Sequence, residues 1–210
     1  MKLYHCHDAR SLRPLWTLEE LGIPYELDVL PFPPRFFRKE YLAVNPLGTV
    51  PFFEDGETRM TESSAICQYL VERYGNGSLA LRPDDPEYGA WLNWLHQADS
   101  TLTFPQAVML RYRHLEPEAR RLPQAVEDYR AFFLGRLRWL TRHLEGREYL
   151  CAGRFTIADI CIGYALYLGT RPLVAADDAY PPVLRDYLER LTGREAFRRA
   201  AAIGEPTPGA

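Results

Sequence analysis

Asn45-Pro46-Leu47-Gly48-Thr49-Val50-Pro51-Phe52-Phe53 is the stretch on which the fold turns. A turn-forming run meets Val-Pro at the head of an apolar segment. Proline has no N–H, so a strand tolerates it best at its first residue. The segment from Val50 to Phe53 therefore reads as a strand. A cis Val50–Pro51 bond would turn the amide and carbonyl of Val50 outward, ready to meet an extended peptide. Such a bond costs only about 0.5–1 kcal/mol before proline. A trans turn proline is the plainer reading of an isolated Val-Pro. Asp55-Gly56 is a hairpin signal leading to a short strand at Thr58 to Met60.

Upstream, Lys2 to His5 reads as a strand. Ser11 to Leu21 reads as a helix with Leu12, Leu15, Trp16 and Leu18 on its apolar side, closed by Gly22. Tyr25 to Leu30 alternates like a second strand. Pro31, Pro33 and Pro34 break the pattern, and Arg35 to Ala43 is expected to form a short helix. Downstream, a helix starts at Thr61 or Glu62 and runs to Tyr74, stopped by Gly75. The order is βαβ followed by αββα.

Residues 76–86 shift to Gly, Asn, Ser, Pro and Asp and read as a linker. Strand signals end there. One long helix is expected from Pro86 to His114, kinked at Pro105. Others are expected from Leu122 to Leu144, Thr156 to Leu168, Pro182 to Leu191 and Arg194 to Ala202, with a loose tail from Gly204. In Phe155-Thr156-Ile157-Ala158-Asp159-Ile160, Thr156 and Asp159 have the spacing of a capping box, and Phe155 and Ile160 that of a hydrophobic staple. This is a folding device and is assigned no chemistry. The expected domains are 1–75, α/β, and 87–210, all helical.

The chain has 210 residues, 47% of them apolar and 13% aromatic, enough to build a core. No apolar run approaches the roughly 18 residues of a membrane span. The start, Met1 to His7, lacks an apolar leader, so a cytoplasmic location and no membrane partner are expected. Net charge is −3. Residues 1–80 hold 8 Lys and Arg against 11 Asp and Glu, and the rest of the chain holds 17 of each. Neither half looks like a nucleic-acid binder. Cys6, Cys67, Cys151 and Cys161 form no C-x-x-C motif. In a strand, His5-Cys6-His7 alternates sides and cannot easily close on one ion, so no metal is expected.

Two further segments carry chemistry. Thr61-Glu62-Ser63-Ser64-Ala65-Ile66 crowds a carboxylate and hydroxyls at a helix start. Glu62 or Ser63 could simply cap the helix. The same end, with free amides and a positive dipole, also suits a ligand bearing an ammonium and a carboxylate on one carbon. Asp8-Ala9-Arg10-Ser11-Leu12-Arg13 joins the first strand to the first helix and places Ser11 near the helix N-terminus.

Taken together, Ser-Leu-Arg-Pro-Leu-Trp-Thr-Leu-Glu-Glu-Leu-Gly (11–22), Asn-Pro-Leu-Gly-Thr-Val-Pro (45–51), Thr-Glu-Ser-Ser-Ala-Ile (61–66) and the Phe-Thr-Ile-Ala-Asp-Ile box (155–160) resemble the cytosolic glutathione S-transferases, near the beta, theta and nu groupings. The resemblance spans essentially the whole chain. It implies a thioredoxin-like first domain, an all-α second domain, a homodimer, and conjugation of glutathione, as co-substrate, to a small hydrophobic electrophile in detoxification. The alternatives are glutathione-dependent reduction of disulfides or peroxides, a glutathione-using isomerase, and a non-catalytic glutathione binder.

The same resemblance implies site roles. Val50 pairs through its backbone with the cysteinyl part of glutathione, and Pro51 holds that geometry. Glu62 and Ser63 hold the γ-glutamyl end, joined by Asp99 from the partner subunit. Arg35, Arg38 or Lys39 meets the glycyl carboxylate. Some relatives carry a catalytic cysteine where this chain has Arg10, and others a catalytic serine where it has Ala9. Ser11 is the nearby hydroxyl expected to activate the thiol, with Arg10 as the alternative. Phe104, Met109, Tyr112 and Tyr164 are the expected electrophile walls, with Arg111 as an anion contact, although such stripes also suit ordinary helix packing.

Overall fold

The computed structural model of the chain describes residues 1–204. It contains two compact units, one of residues 1–80 together with the segment from Gly193, the other of Leu81–Thr192.

In the first unit β1 (Lys2–His5) lies parallel to β2 (Glu26–Val29) and antiparallel to β3 (Phe52–Asp55), which pairs with β4 (Thr58–Met60). The sheet order is β2-β1-β3-β4. β1 is buried from both sides, and its period-two alternation sorts the side chains. Tyr4 and Cys6 join Leu30, Tyr41 and Phe52 in one cluster. α1 (Leu12–Leu21) begins after the β1 turn and ends at Gly22, whose φ of 63° is the left-handed geometry of a helix stop. α3 (Ser63–Tyr74) packs on α1.

The expected helix over residues 35–43 is two pieces, α2 (Pro34–Phe37) and a 3₁₀ turn at Lys39–Ala43. The Phe32–Pro33 bond is cis, as is Val50–Pro51. Asn45 organises the loop before β3. Its Oδ1 accepts from the Leu47 amide at 3.1 Å, and its Nδ2 donates to the Thr49 carbonyl at 2.9 Å. The Tyr41 hydroxyl donates to that same carbonyl at 2.8 Å. Gly48 has φ of 61°, and a Cβ there would come within 2.8 Å of the Arg35 Cβ, so the turn requires glycine.

The chain end returns to this unit, which corrects the expectation that everything after residue 86 forms one helical domain. α9 (Glu195–Ala202) packs against α1. Phe197 meets Trp16 edge-on at 4.8 Å between centroids. Arg194 grips Glu20 with two hydrogen bonds, at 2.6 and 2.8 Å, and Arg199 reaches Glu19 at 2.6 Å. Most of the tail expected to be loose, residues 205–210, lies outside the described residues.

The helical unit holds α4 (Tyr88–Gln97), α5 (Phe104–Leu110), α6 (Pro123–Leu144), α7 (Ile157–Thr170) and α8 (Pro182–Thr192). The long helix expected over residues 86–114 is interrupted twice by π-turns, at Ala98–Thr103 and Arg111–Leu115. Pro105 stands in the first turn of α5, where its missing N–H is harmless. The capping box at α7 forms. Thr156 Oγ1 accepts from the Ala158 amide at 3.2 Å, and Asp159 Oδ2 accepts from the Thr156 amide at 2.8 Å. Asp159 Oδ1 also accepts from the Leu150 amide at 3.0 Å and from the Tyr187 hydroxyl at 2.9 Å.

Asp159 thus ties a loop, a helix start and α8 through one buried carboxylate. Replacing it by alanine leaves several buried donors unsatisfied and is expected to cost about 3 kcal/mol. In thermal unfolding that is a fall of about 10 °C in Tm.

Candidate functional site

The start of α3 brings a carboxylate, hydroxyls and a buried guanidinium together. Glu62 stands at the N-cap with extended backbone, and its side chain makes no capping bond. It is exposed, and the Thr61 hydroxyl donates to it at 3.4 Å. Ser63, buried, opens the helix. Beneath it lies Arg13 of α1, fully buried, whose Nη1 donates to Ser63 Oγ at 2.9 Å. A guanidinium has no acceptor capacity, so this bond leaves the Ser63 hydroxyl proton to point elsewhere. A fixed cation, a hydroxyl and the positive end of a helix together favour a carboxylate. Arg13 is a site residue that sequence reasoning missed. Its one signal was an arginine set among the apolar positions of α1.

Val50 and Pro51 precede β3. The hydrogen bonds of this loop end at the Thr49 carbonyl, and among the described residues none is made by the Val50 amide or carbonyl. Val50 therefore offers an open backbone edge beside a cis bond.

Of the three cations weighed for a carboxylate, Arg38 is engaged, at 2.7 Å from Asp28 and 3.3 Å from Glu40. Arg35 is exposed, lies over the Phe36 ring and abuts Gly48. Lys39 is exposed on the 3₁₀ turn.

Ser11 is fully buried. It occupies the N-cap position of α1 in helical geometry and does not cap. Its Oγ lies 2.9 Å from His5 Nδ1 and accepts from the Cys6 amide at 3.2 Å. This is a hydroxyl that holds the β1–α1 turn, not one presented to a ligand. Burial lowers the His5 pKa to about 4, so the imidazole is neutral. Arg10 is half-buried in the same turn, which Asp8 enters with φ of 57°. Burial pushes the Cys6 thiol up to about 12, and the thiol is inert as a nucleophile at neutral pH. Among the described residues no cluster of metal-ligating side chains exists, and no helix is long and apolar enough to cross a membrane.

In the helical unit the expected electrophile walls divide. Met109 and Tyr164 are buried in its core, which corrects their assignment as pocket walls. Both sit on the helix faces that pack inward. Phe104 is 53% exposed, and its ring meets Tyr129 edge-on. Tyr112 lines a cavity. Arg111 is paired with Glu116 at 2.7 Å. Asp99 is half-buried on the first π-turn.

Comparison with known proteins agrees with this fold. The family described as glutathione S-transferase, N-terminal domain, matches residues 3–78. Glutathione S-transferase 2 of Schizosaccharomyces pombe is 33% identical over 163 residues, covering 74% of this chain and 69% of that protein. BphK, a bacterial GST solved as a ternary complex, superposes with a TM-score of 0.83 at 28% identity, over 96% of this chain and 98% of its own. A sphingomonad glutathione S-transferase complexed with glutathione gives 0.79 at 25% identity, over 96% and 97%. The chain belongs to the glutathione S-transferase family. A thioredoxin-like α/β first domain followed by a largely helical part is the fold of that family.

The buried His5 makes stability depend on pH. Its folded pKa lies below the unfolded value near 6.5, so its stabilising contribution is complete above that value and is lost as pH falls toward 4. About 2 kcal/mol should be lost between pH 7 and pH 5. Urea midpoints across that range check this, and His5→Gln should flatten the dependence.

Proposed function

We propose that this protein conjugates glutathione to small hydrophobic electrophiles, binding the tripeptide along Val50, the start of α3 and Arg35. The observation that carries the reading is the buried Arg13–Ser63 contact at 2.9 Å beneath a helix N-terminus. The γ-glutamyl carboxylate accepts hydrogen bonds from the amide and hydroxyl of Ser63. Glu62 accepts from the γ-glutamyl ammonium. The cysteinyl residue pairs with the amide and carbonyl of Val50, beside cis-Pro51. The glycyl carboxylate meets Arg35, the cation held against Gly48. Arg13 touches no ligand and acts as a positioning residue.

The thiol must then lose its proton. A free thiol with a pKa near 8.5 is only about 3% thiolate at pH 7. Lowering that pKa by two units takes about 2.7 kcal/mol. A cation 4 Å from the sulfur contributes about 4 kcal/mol at an effective dielectric constant of 20. We assign this role to Arg10 at the start of α1, with Ser11 and neutral His5 holding the turn that carries it. The thiolate attacks an electrophilic carbon. A C–S bond forms, and the leaving group departs with the electron pair of the bond that breaks. Phe104 and Tyr112 supply the apolar contacts to the electrophile. The resemblance adds a homodimer in which Asp99 of the partner subunit approaches the γ-glutamyl ammonium, a cytoplasmic location and a role in detoxification. Light scattering of the purified chain tests the dimer.

Ser11's burial supports a second reading, a glutathione-binding member of the family that lacks thiol activation. Titration of the bound thiolate by its ultraviolet absorbance separates the two. The wild-type midpoint should lie about two units below that of free glutathione, and Arg10→Gln should return it toward the free value. A wild-type midpoint equal to the free value favours the binder.

Calorimetry tests the binding assignments directly. Ser63→Ala and Glu62→Gln should each weaken glutathione binding about tenfold, the effect of losing one charge-assisted hydrogen bond. Unchanged affinity in both removes α3 from the site.

A further inference from the structure

Residues 111–121, Arg-Tyr-Arg-His-Leu-Glu-Pro-Glu-Ala-Arg-Arg, place four arginines against two glutamates. Glu116, 8% exposed, collects two of them. Arg111 Nη2 lies 2.7 Å from its Oε1, and Arg120 Nε lies 3.3 Å from its Oε2. Arg113 and Arg121 form no ion pair among the described residues. Each is fixed instead by a backbone carbonyl. Arg113 Nη1 donates to Val174 at 2.7 Å, and Arg121 Nε donates to Glu116 at 3.3 Å. A guanidinium has five N–H donors, so most of the donors of both remain for a ligand.

Both arginines line one cavity of about 210 Å³, together with Tyr112, Pro123, Val126 and Glu127. Tyr112, Pro123 and Val126 form its apolar wall. The π-turn at Arg111–Leu115 supplies Tyr112 and Arg113. A π-turn gives up regular helical hydrogen bonding and is found often at functional sites. Two cations lining one cavity repel each other, and an anion relieves that repulsion. The single carboxylate in the lining, Glu127, disfavours a second negative charge on the ligand and can accept from an N–H or O–H group.

We infer that this cavity binds the carboxylate of a small, singly charged aromatic acid, clamped by Arg113 and Arg121 with its ring against Tyr112, Pro123 and Val126. Tyr112 is also a wall of the proposed electrophile site. Resting on the transferase reading, the inference extends to acidic aromatic electrophiles as preferred acceptors.

The test compares 4-nitrobenzoate with neutral 4-nitrobenzamide by calorimetry on the full chain. The acid should bind about tenfold or more tightly, the effect of a charge-assisted hydrogen bond. Arg121→Gln, at an exposed position, should abolish the difference without risk to folding. Arg113→Lys keeps the charge, loses the planar fork and should reduce it. Equal binding of acid and amide overturns the inference. Steady-state kinetics with 4-chloro-3-nitrobenzoate and 4-chloro-3-nitrobenzamide then read the acceptor role. A lower KM for the acid that disappears in Arg121→Gln supports it, and equal KM values overturn it. Turnover of neither acceptor, with selective 4-nitrobenzoate binding intact, is failure of the transferase reading and leaves the anion site supported.

Discussion

A fully buried guanidinium is the constraint around which the first unit is arranged. Removing a cation from water costs several kcal/mol even after the protein relaxes. Arg13 is held on α1 by the same packing that buries Leu12, Leu15 and Trp16. Its contact with Ser63 fixes the hydroxyl rotor and joins the first and third helices through a polar bond. A ligand carboxylate arriving at the start of α3 would find charge and direction already set. Binding then costs little reorganisation, which is the physical meaning of a preorganised site.

A second constraint lies in the loop before β3. Asn45 closes its turn through both ends of its amide, Tyr41 supports the Thr49 carbonyl, and Gly48 adopts a φ that other residues resist. These contacts stop one residue short of Val50. The result is a rigid loop whose next backbone edge stays open. A loop can only offer such an edge if the residues before it are fully satisfied, since a frayed loop would close on itself. The first 80 residues carry the chain's net negative charge, so the proposed reading assigns an anionic tripeptide to placed cations and a helix end, not to bulk charge.

Much of this was legible in the sequence, for local reasons. The β-α-β, α-β-β-α order follows from short alternating runs punctuated by Gly and Pro, and Thr156-Ile157-Ala158-Asp159 announces its own capping box. Other features depend on contacts distant in sequence. Ser11 reads as a helix-start hydroxyl until His5, six residues back, is seen to claim it. Arg13 gains its role from Ser63, fifty residues away. The π-turns are hidden because apolar spacings of three and four absorb one extra residue without losing the pattern. Met109 and Tyr164 could have faced core or ligand, and periodicity alone does not distinguish those. The return of α9 to α1 joins Phe197 to Trp16 and adds ion pairs of Glu19 and Glu20 with Arg199 and Arg194, charges that look like a solvated surface in the sequence.

Arg13 is proposed to act on the ligand through Ser63. A double-mutant cycle in glutathione affinity tests it, using Arg13→Met, Ser63→Ala and the pair. Methionine fills the buried volume without charge, and such replacements of buried ions are often tolerated by the fold. The predicted result is a coupling energy of about 1–2 kcal/mol, with the double variant binding little worse than either single one. Additive losses would contradict the account, because they would mean that Arg13 and Ser63 act on glutathione independently.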